Sequence, residues 1–273
     1  MIRICIAGVT GWVGKSLAAA VQAAPDFELV GAVSRKAAGA RIADALQQPS
    51  PHPSGANVMV SGTVDEALRA DADVLIDYTT PEVVKHNVLH AIERRVHVVV
   101  GTSGLDDEDY REIDDAARRF AVGVLAAGNF AISAVLLEHF ALIAARHMPS
   151  WEVIDYAEAG KVDAPSGTVR QLAHRLSQVG TPDVAVPIDR TQGLREARGV
   201  TLNGAQVHSI RLPGHVIGVE VLFGKPSERL SIRHDAGSGA EPYVSGTLVA
   251  ARAVGTFVGL RRGLDQILGL GGP

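Results

Sequence analysis

The chain has little of what several classes of protein require. Its 273 residues include one cysteine, Cys5, so neither an internal disulfide nor a cysteine-rich metal site can form. Aromatic residues are 4 % of the chain and the formal net charge is −4, which argues against a nucleic-acid partner bound by base stacking or by bulk positive charge. No apolar run reaches the roughly 20 residues of a membrane span, and no signal peptide is expected before the first strand-like segment. We therefore expect a soluble cytoplasmic protein without a membrane partner, in which the Cys5 thiol is buried and inert.

The first half of the sequence alternates strand-like and helix-like segments. Five short apolar runs are interpreted as strands: residues 2–7, 28–33, 74–77, 97–101 and 122–126. Helices are expected at 12–24, from Pro81 onwards and at 106–120; Pro25 ends the first, and an acidic turn opens the last. Strands that alternate with helices predict an α/β fold, a Rossmann-type doubly wound parallel sheet with helices on both faces.

The pattern changes after Asn129. Helices are expected at 132–146, 168–178 and 242–258, and a strand at 151–156. Three further strand-like runs, at 207–212, 216–223 and 229–234, are separated only by short turns, which predicts a mostly antiparallel or mixed sheet. The second half is therefore interpreted as a separate α+β domain, and Gly237-Ser238-Gly239 as either a hinge or an ordinary loop.

A glycine-rich turn, Gly8-Val9-Thr10-Gly11-Trp12-Val13-Gly14, joins the first strand to the first helix. Its spacing, G-x-x-G-x-x-G, is a variant of the dinucleotide fingerprint, in which glycines let a pyrophosphate approach backbone N–H groups at a helix N-terminus. Its position in the first strand–turn–helix unit favours cofactor binding over a merely structural turn. Gly14-Lys15-Ser16 also ends like an ATP-binding phosphate loop, but Val9 stands where that motif needs its first glycine, which argues against an ATPase or kinase.

The end of the second strand indicates which dinucleotide binds. NAD-binding folds usually place a carboxylate there for the ribose hydroxyls. This chain has Ser34-Arg35-Lys36 instead, a hydroxyl and two cations that suit a 2′-phosphate. We expect NADPH to be preferred, with NADH as the alternative cofactor; the other interpretation is a solvated basic turn.

A second polar motif lies between a strand and a helix in the second half, Lys161-Val162-Asp163-Ala164-Pro165-Ser166-Gly167-Thr168. Ser166, Gly167 and Thr168 suit an anion-binding nest of backbone N–H groups and hydroxyls at a helix N-terminus. Lys161 adds a positive charge, so the motif fits a small carboxylate substrate. The alternative is an ordinary helix cap.

These motifs resemble the dihydrodipicolinate reductase family, together with three further segments. The segments are Asp77-Tyr78-Thr79-Thr80-Pro81-Glu82, Gly101-Thr102-Ser103-Gly104 and Gly128-Asn129-Phe130. The resemblance covers nearly the whole chain, and the string from Lys161 to Thr168 is its most specific part. It implies reduction of a cyclic conjugated imine with NADPH or NADH, in the diaminopimelate route to lysine. It also implies a homotetramer built through the substrate-domain sheets.

The resemblance further implies domain limits and residue roles. Residues 1–128 and 237–273 would form the dinucleotide-binding domain, and residues 129–236 the substrate-binding and oligomerisation domain. The implied cofactor contacts are the turn from Gly8 to Gly14, which includes Thr10, Gly11, Trp12 and Val13, then Ser34 and Arg35 at the 2′-phosphate, Thr79, Gly101, Thr102 and Ser103 beside the nicotinamide, and Asn129 and Phe130 at the domain junction. Lys161 would contact the substrate and help to donate a proton, while Gly167 and Thr168, next to Ser166, would hold a substrate carboxylate.

The chain departs from the family motif immediately before this loop. The family has His-His-x-x-Lys, whereas this sequence has Ala157-Glu158-Ala159-Gly160-Lys161. The usual histidine acid is therefore absent, and Lys161, Glu158 or a water held by either must protonate the reduced product. Two alternatives stay open: a divergent relative that reduces another imino or oxo acid, and a nucleotide-sensing protein without catalysis.

Other polar groups carry weaker signals. His86 and His90 have the i, i+4 spacing of metal ligands, but no third ligand motif accompanies them, so no metal is expected. The Arg233-His234-Asp235 run, and Arg211 with His215, are secondary candidates for substrate contact. Tyr243 is interpreted as a packing residue.

Overall fold

The computed structural model describes residues 1–47, 57–69 and 71–270. They divide into two compact units. The first unit comprises Met1–Ile132 and Ala240–Gly269, and the second comprises Ser133–Gly239.

The first unit is built on a seven-stranded sheet in the order β12-β6-β5-β4-β1-β2-β3, with parallel pairing throughout. Its strands are β1 (Ile2–Ala7), β2 (Phe27–Val33), β3 (Val60–Ser61), β4 (Val74–Asp77), β5 (His97–Val100), β6 (Gly123–Ala126) and the last strand of the chain, β12 (Gly259–Arg262). Its helices are α1 (Trp12–Ala23), α2 (Ile42–Leu46), α3 (Val64–Ala67), α4 (Pro81–Glu93), α5 (Asp107–Phe120) and the last, α8 (Glu241–Ala253). The expected α/β class with a doubly wound parallel sheet is confirmed.

The central strands of this sheet are mostly apolar because both of their faces are covered. Every residue of β4 and β6 is buried, and β4 ends in a buried carboxylate, Asp77. Helix α4 begins at Pro81, as predicted. Helix α5 begins one residue later than predicted, at Asp107, because Asp106 is its N-cap in a capping box with Asp109.

The second unit contains a five-stranded mixed sheet in the order β11-β10-β7-β9-β8. Its strands are β7 (Ser150–Ala157), β8 (Val200–Leu202), β9 (Ala205–Arg211), β10 (Ile217–Lys225) and β11 (Glu228–Ala236). Only β7 and β9 pair in parallel, which agrees with the mixed sheet expected from the sequence. Helices α6 (Ile132–Ala145) and α7 (Gly167–Val179) cover one face with leucines such as Leu142, Leu172 and Leu176.

Several predicted limits were wrong. The helix expected at 242–258 ends at Ala253, and a 3-10 turn at Val254–Thr256 leads into β12. The strands β3, β8 and β12 were not predicted, because each has only two to four residues and none shows an apolar run. Cys5 is fully buried, as expected, and burial raises the pKa of its thiol to about 12. In the described ranges no helix has the length and apolar character needed to cross a membrane.

Candidate nucleotide and substrate sites

The glycine turn after β1 is too crowded for side chains. Gly8 has φ +84°, and a Cβ at this position would overlap the carbonyl oxygen of Tyr78. A Cβ at Gly14 would overlap the carbonyl oxygen of Gly8, and the turn is closed by a 2.9 Å hydrogen bond from Gly11 N to the same oxygen. The glycines are therefore required by the backbone path itself.

The N-terminus of α1 is open to an anion. Gly11 is its N-cap, no side chain caps the helix, and its first turn contains no acidic residue. In the described part of the chain, the N–H groups of Trp12, Val13 and Gly14 have no acceptor. These donors and the positive end of the helix dipole fit a dinucleotide pyrophosphate. Thr10 bonds the Ser34 hydroxyl at 2.7 Å and so ties the turn to the end of β2.

The end of β2 presents cations to solvent. Ser34 is buried, whereas Arg35 and Lys36 are exposed. A nearby carboxylate belongs to Glu82, at the start of α4. A hydrogen bond from Thr80 lowers the pKa of Glu82, and the charge of Arg35 lowers it further. Arg35 therefore lies within electrostatic reach of both α4 and the end of β2.

Asp77 organises the loops at the carboxyl ends of β4 and β5. Its Oδ1 accepts hydrogen bonds from Thr79 N at 3.0 Å, Thr79 Oγ1 at 2.6 Å and Thr102 Oγ1 at 2.7 Å. Its Oδ2 accepts from Asn87 Nδ2, on α4, at 2.8 Å. In the sequence, Asp77 stands only as part of a motif, and no role is predicted for it. The signal for its role is a carboxylate at the end of the otherwise apolar strand Val-Leu-Ile-Asp.

The loop from Gly101 to Gly104 lies against the ring of Tyr78. A Cβ at Gly101 would overlap that ring, and the Tyr78 hydroxyl bonds Thr247 Oγ1, on α8, at 2.7 Å. Ser103 and Gly104 are exposed, so this part of the loop faces solvent, whereas Gly101 packs against Tyr78.

The remaining cofactor candidates have local structural partners. Phe130 is 1 % exposed and packs 6.1 Å from the ring of Tyr78, so its side chain belongs to the core. Asn129 Oδ1 accepts a 2.8 Å hydrogen bond from Ala131 N. Trp12 is 58 % exposed and meets Tyr243 edge-on at 5.4 Å, in keeping with Tyr243 as a packing residue.

The loop that follows β7 carries the second motif. Ser166 is the N-cap of α7, and its hydroxyl accepts from Val169 N at 3.4 Å. Within the described ranges, the N–H groups of Gly167 and Thr168 have no acceptor. The cap and the anion nest are thus compatible, since Ser166 supplies the cap while the next two amides stay open. Lys161 Nζ lies 2.7 Å from Asp163 Oδ1, and this contact lowers the pKa of Asp163.

A buried ion pair holds this loop against the sheet. Asp155 is 1 % exposed, and its Oδ2 accepts from Ser166 N at 2.8 Å and from Arg211 Nη2 at 2.7 Å. Arg211 Nη2 also donates to the Asp163 carbonyl at 2.7 Å. Both ends of the segment from Asp163 to Ser166 are therefore attached to β7 and β9. Arg211, a secondary candidate for substrate contact from the sequence, thus binds the buried carboxylate of Asp155, which no sequence motif indicates.

The residues at the start of the loop face in different directions. Ala157 is 1 % exposed, whereas Glu158 is exposed.

The secondary candidates on β11 have partners within the second unit. Arg233 hydrogen-bonds Asp235 at 2.6 Å and lies 4.4 Å above the ring of Tyr156. His234 is buried and contacts Ser133 Oγ at 3.0 Å.

Comparison with known proteins agrees with these observations. Residues 2–130 match the family model described as "Dihydrodipicolinate reductase, N-terminus", and residues 133–268 match "Dihydrodipicolinate reductase, C-terminus". The chain belongs to the dihydrodipicolinate reductase family. The resemblance drawn from the motifs is thereby confirmed, as is the expected enzyme class, because this family consists of oxidoreductases that use a nicotinamide nucleotide.

Individual relatives match over nearly their full length. A 4-hydroxy-tetrahydrodipicolinate reductase from Cutibacterium acnes is 38 % identical over 99 % of this chain and 100 % of its own. The enzyme of that name from Lactiplantibacillus plantarum is 35 % identical over 98 % and 100 %. A solved dihydrodipicolinate reductase from Paenisporosarcina sp. TG-14, with dipicolinate bound, is 30 % identical with a TM-score of 0.86 over 98 % of this chain and 100 % of that one.

Proposed function

We propose that this chain is a 4-hydroxy-tetrahydrodipicolinate reductase of the diaminopimelate route to lysine. The observation that carries the proposal is the loop from Lys161 to Thr168, where two open helix amides and a lysine are held in place by the buried pair Asp155–Arg211. This arrangement suits a small cyclic dicarboxylate. The curated relatives of that name, which match over the whole chain, support the same substrate.

We propose NADPH as the preferred cofactor. The open N-terminus of α1 would receive the pyrophosphate, and Arg35 with Lys36 would meet the 2′-phosphate. Because β2 itself does not end in a carboxylate, the usual ligand of the ribose hydroxyls in NAD-binding folds is absent; the Glu82 carboxylate, at the start of α4, interacts with Arg35. When bound, the nicotinamide supplies the hydride; Thr79 and Thr102, held by Asp77, would line its side of the site.

Lys161 would bind the substrate and supply the proton. Hydride addition to a conjugated imine leaves an electron-rich carbon that must be protonated. Ala157 has no acidic hydrogen, and Glu158 is exposed to solvent. The side chains of Lys161 and Asp163 form an ion pair and are 30 % and 40 % exposed. Because an ion pair that is partly open to solvent is weak, Lys161 can exchange Asp163 for a substrate carboxylate.

A related function is favoured by one observation. Ala157 and Glu158 replace the histidine pair of the family motif, which fits a relative whose substrate is another imino or oxo acid. The retained lysine and the open amides of Gly167 and Thr168 argue against a nucleotide sensor without catalysis.

The second unit would also assemble the homotetramer. The face of its sheet opposite α6 and α7 carries half-buried apolar side chains, including Ile154, Ile210 and Leu222. Strand β11 closes one edge and is mostly exposed. Four copies packed through these faces would bury them. Light scattering on the purified chain measures the subunit number, and a monomer at micromolar concentration would contradict this assembly.

The deciding experiment is a steady-state assay of NADPH oxidation with freshly generated family substrate. We expect wild-type turnover, with a pH profile that Lys161→Arg shifts and Glu158→Gln leaves in place. The paired variant Ala157→His/Glu158→His tests the missing acid. Since residue 157 is 1 % exposed, its thermal unfolding must be checked alongside activity.

The outcomes separate the two functions. General acid catalysis is typically worth about 10²–10⁴-fold, so a gain of that size in the histidine pair variant would mean that the natural substrate is another imine. Loss of wild-type turnover in Glu158→Gln would instead make Glu158 the acid and refute the role given to Lys161.

A further inference from the structure

Three potential metal ligands meet on the surface of the first unit. His86 and His90 lie one turn apart on α4, with their rings stacked at 5.9 Å between centroids. Asp65, in the first turn of α3, faces both of them. One ligand atom from each of the three side chains lies within 4.8 Å of the others. The third ligand that sequence spacing alone does not provide comes from a different helix.

Two of these atoms are buried and make no hydrogen bond within the described ranges. Asp65 Oδ1 and His90 Nε2 lie 3.3 Å apart, an ion-pair distance without hydrogen-bond geometry. Buried polar atoms are nearly always satisfied, so each unsatisfied one indicates a missing ligand, water or ion.

The distances from Asp65 Oδ1 to the two imidazole nitrogens match those of ligands that share one cation. Asp65 Oδ1 lies 3.3 Å from His86 Nε2 and 3.3 Å from His90 Nε2. Zinc binds nitrogen at about 2.0–2.1 Å and carboxylate oxygen at about 2.0–2.2 Å, so tetrahedral neighbours lie about 3.3–3.5 Å apart. The two measured separations are those of ligands on adjacent corners of such a tetrahedron.

We propose that Asp65, His86 and His90 form a binding site for a divalent transition metal of the Zn²⁺ type. The set suits Zn²⁺ or Co²⁺, because imidazole nitrogens are ligands for these ions, whereas Mg²⁺ and Ca²⁺ prefer sites made only of oxygen ligands. His86 is 69 % exposed at its side chain, so a water molecule can complete the coordination. The metal would join α3 to α4, the helix whose Asn87 holds Asp77.

One neighbour must adjust when the metal binds. Arg94 Nη1 lies 3.5 Å from His90 Nδ1, at the limit of a hydrogen bond. Metal on Nε2 places the ring proton on Nδ1, which then cannot accept from the guanidinium. Arg94 would turn away, and the proton on Nδ1 would take a water as acceptor.

The test uses the full chain without a histidine tag, stripped of metal with a chelator. Zn²⁺ is titrated against a chromophoric competitor, and Co²⁺ is added separately to record its absorption spectrum. We expect one tight Zn²⁺ per chain and the intense visible bands of tetrahedral Co²⁺. Thermal unfolding should move upward with Zn²⁺, because the metal binds only the folded chain.

Substitutions decide whether these residues are the ligands. His86→Gln is the principal variant, since an exposed side chain can be replaced without loss of folding; His90→Gln and Asp65→Asn follow. Each should weaken Zn²⁺ binding by about 10-fold or more and abolish the tetrahedral Co²⁺ bands. His147→Gln, an exposed histidine of the second unit, should change nothing. Equal Zn²⁺ affinity in wild type and His86→Gln, or an octahedral Co²⁺ spectrum in the wild type, would overturn the proposal.

Discussion

Substitution of Asp155 is the strongest single test of what holds the loop from Lys161 to Thr168 in place. It accepts hydrogen bonds from the backbone of Ser166 and from the guanidinium of Arg211, and Ser209 Oγ approaches at 3.3 Å. Asp155→Asn keeps the size of the side chain but removes its charge. It also places an NH₂ group among donors that need an acceptor.

The magnitude follows from the burial of the pair. Asp155 is 1 % exposed at its side chain and Arg211 is 16 % exposed. Removing one partner of a buried ion pair typically destabilises a protein by about 3–5 kcal/mol, because the other charge is left unpaired. Arg211 keeps its bonds to the carbonyls of Asp155 and Asp163, so we expect the lower end, about 3 kcal/mol.

Activity should fall together with stability. The bond from Ser166 sets where α7 begins, and with it the amides of Gly167 and Thr168. A displacement of these donors by about 1 Å would lower kcat/KM by up to about 10²-fold. NADPH affinity should not change, because the glycine turn from Gly8 to Gly14 belongs to the other unit.

Urea unfolding and steady-state kinetics on the same preparations measure both effects. Glu228→Gln is the matched control, since it removes a carboxylate from the same sheet. Its partner Lys225 is 2.7 Å away, but the two side chains are 43 % and 61 % exposed, so little change is expected. An Asp155→Asn protein with wild-type stability and wild-type kcat/KM would refute the reasoning.

Three further perturbations probe other parts of the molecule. Arg35→Ala should weaken NADPH binding by about 10-fold or more and leave NADH binding unchanged, since one charge-assisted phosphate contact is worth roughly 1.5–3 kcal/mol; a titration in which the NADPH-to-NADH affinity ratio stays constant would contradict the assigned 2′-phosphate contact. Lys161→Ala should lower kcat/KM by about 10²–10⁴-fold without changing NADPH affinity, whereas near-normal turnover would show that this lysine is not part of the site. Burial lowers the pKa of His97 below its ordinary 6.5, and His97 Nδ1 accepts a 2.9 Å hydrogen bond from Gly123 N. As the pH falls below 6.5, His97 therefore binds a proton more readily in the unfolded chain than in the folded one. The contribution of His97 to the free energy of unfolding is complete above pH 6.5 and is lost as the pH falls below it. The urea midpoint should depend less on pH below 6.5 in His97→Gln than in the wild type. An equal pH dependence in the two proteins would contradict the lowered pKa of His97.

The elements that the sequence predicted well are those with a local cause. Strand β4 is predicted with its observed ends, because its three apolar residues lie between two aspartates, Asp73 and Asp77. The start of α4 follows from Pro81, and the start of α5 from the Asp106 cap. Strands of two to four residues such as β3 and β12 have no such cause. They exist because a parallel neighbour, β2 or β6, offers them hydrogen bonds.

The candidate sites divide in the same way. The glycine turn and the loop from Lys161 to Thr168 are visible as strings of residues. The groups that hold them are not, because Asp77 meets Asn87 and Thr102 from other elements, and Asp155 meets Arg211 at a distance of 56 residues along the chain. A carboxylate at the end of an apolar strand indicates that hydrogen-bond donors must lie near it in the fold. The residues that supply these donors are known only from the assembled structure.

Both units use the same device, and this bears on the missing histidine. Asp77 ends β4 and Asp155 lies near the end of β7, and each binds the backbone of the loop that follows its strand. The position of the loop from Lys161 to Thr168 therefore depends on Asp155 and Arg211, not on residue 157, whose side chain is a buried methyl group. Under the function proposed above, the absence of an acid at position 157 would change how the product is protonated and would leave the open amides of Gly167 and Thr168 in place. A chain of this family can thus lack the histidine pair and still retain the loop geometry that we propose for binding a cyclic dicarboxylate.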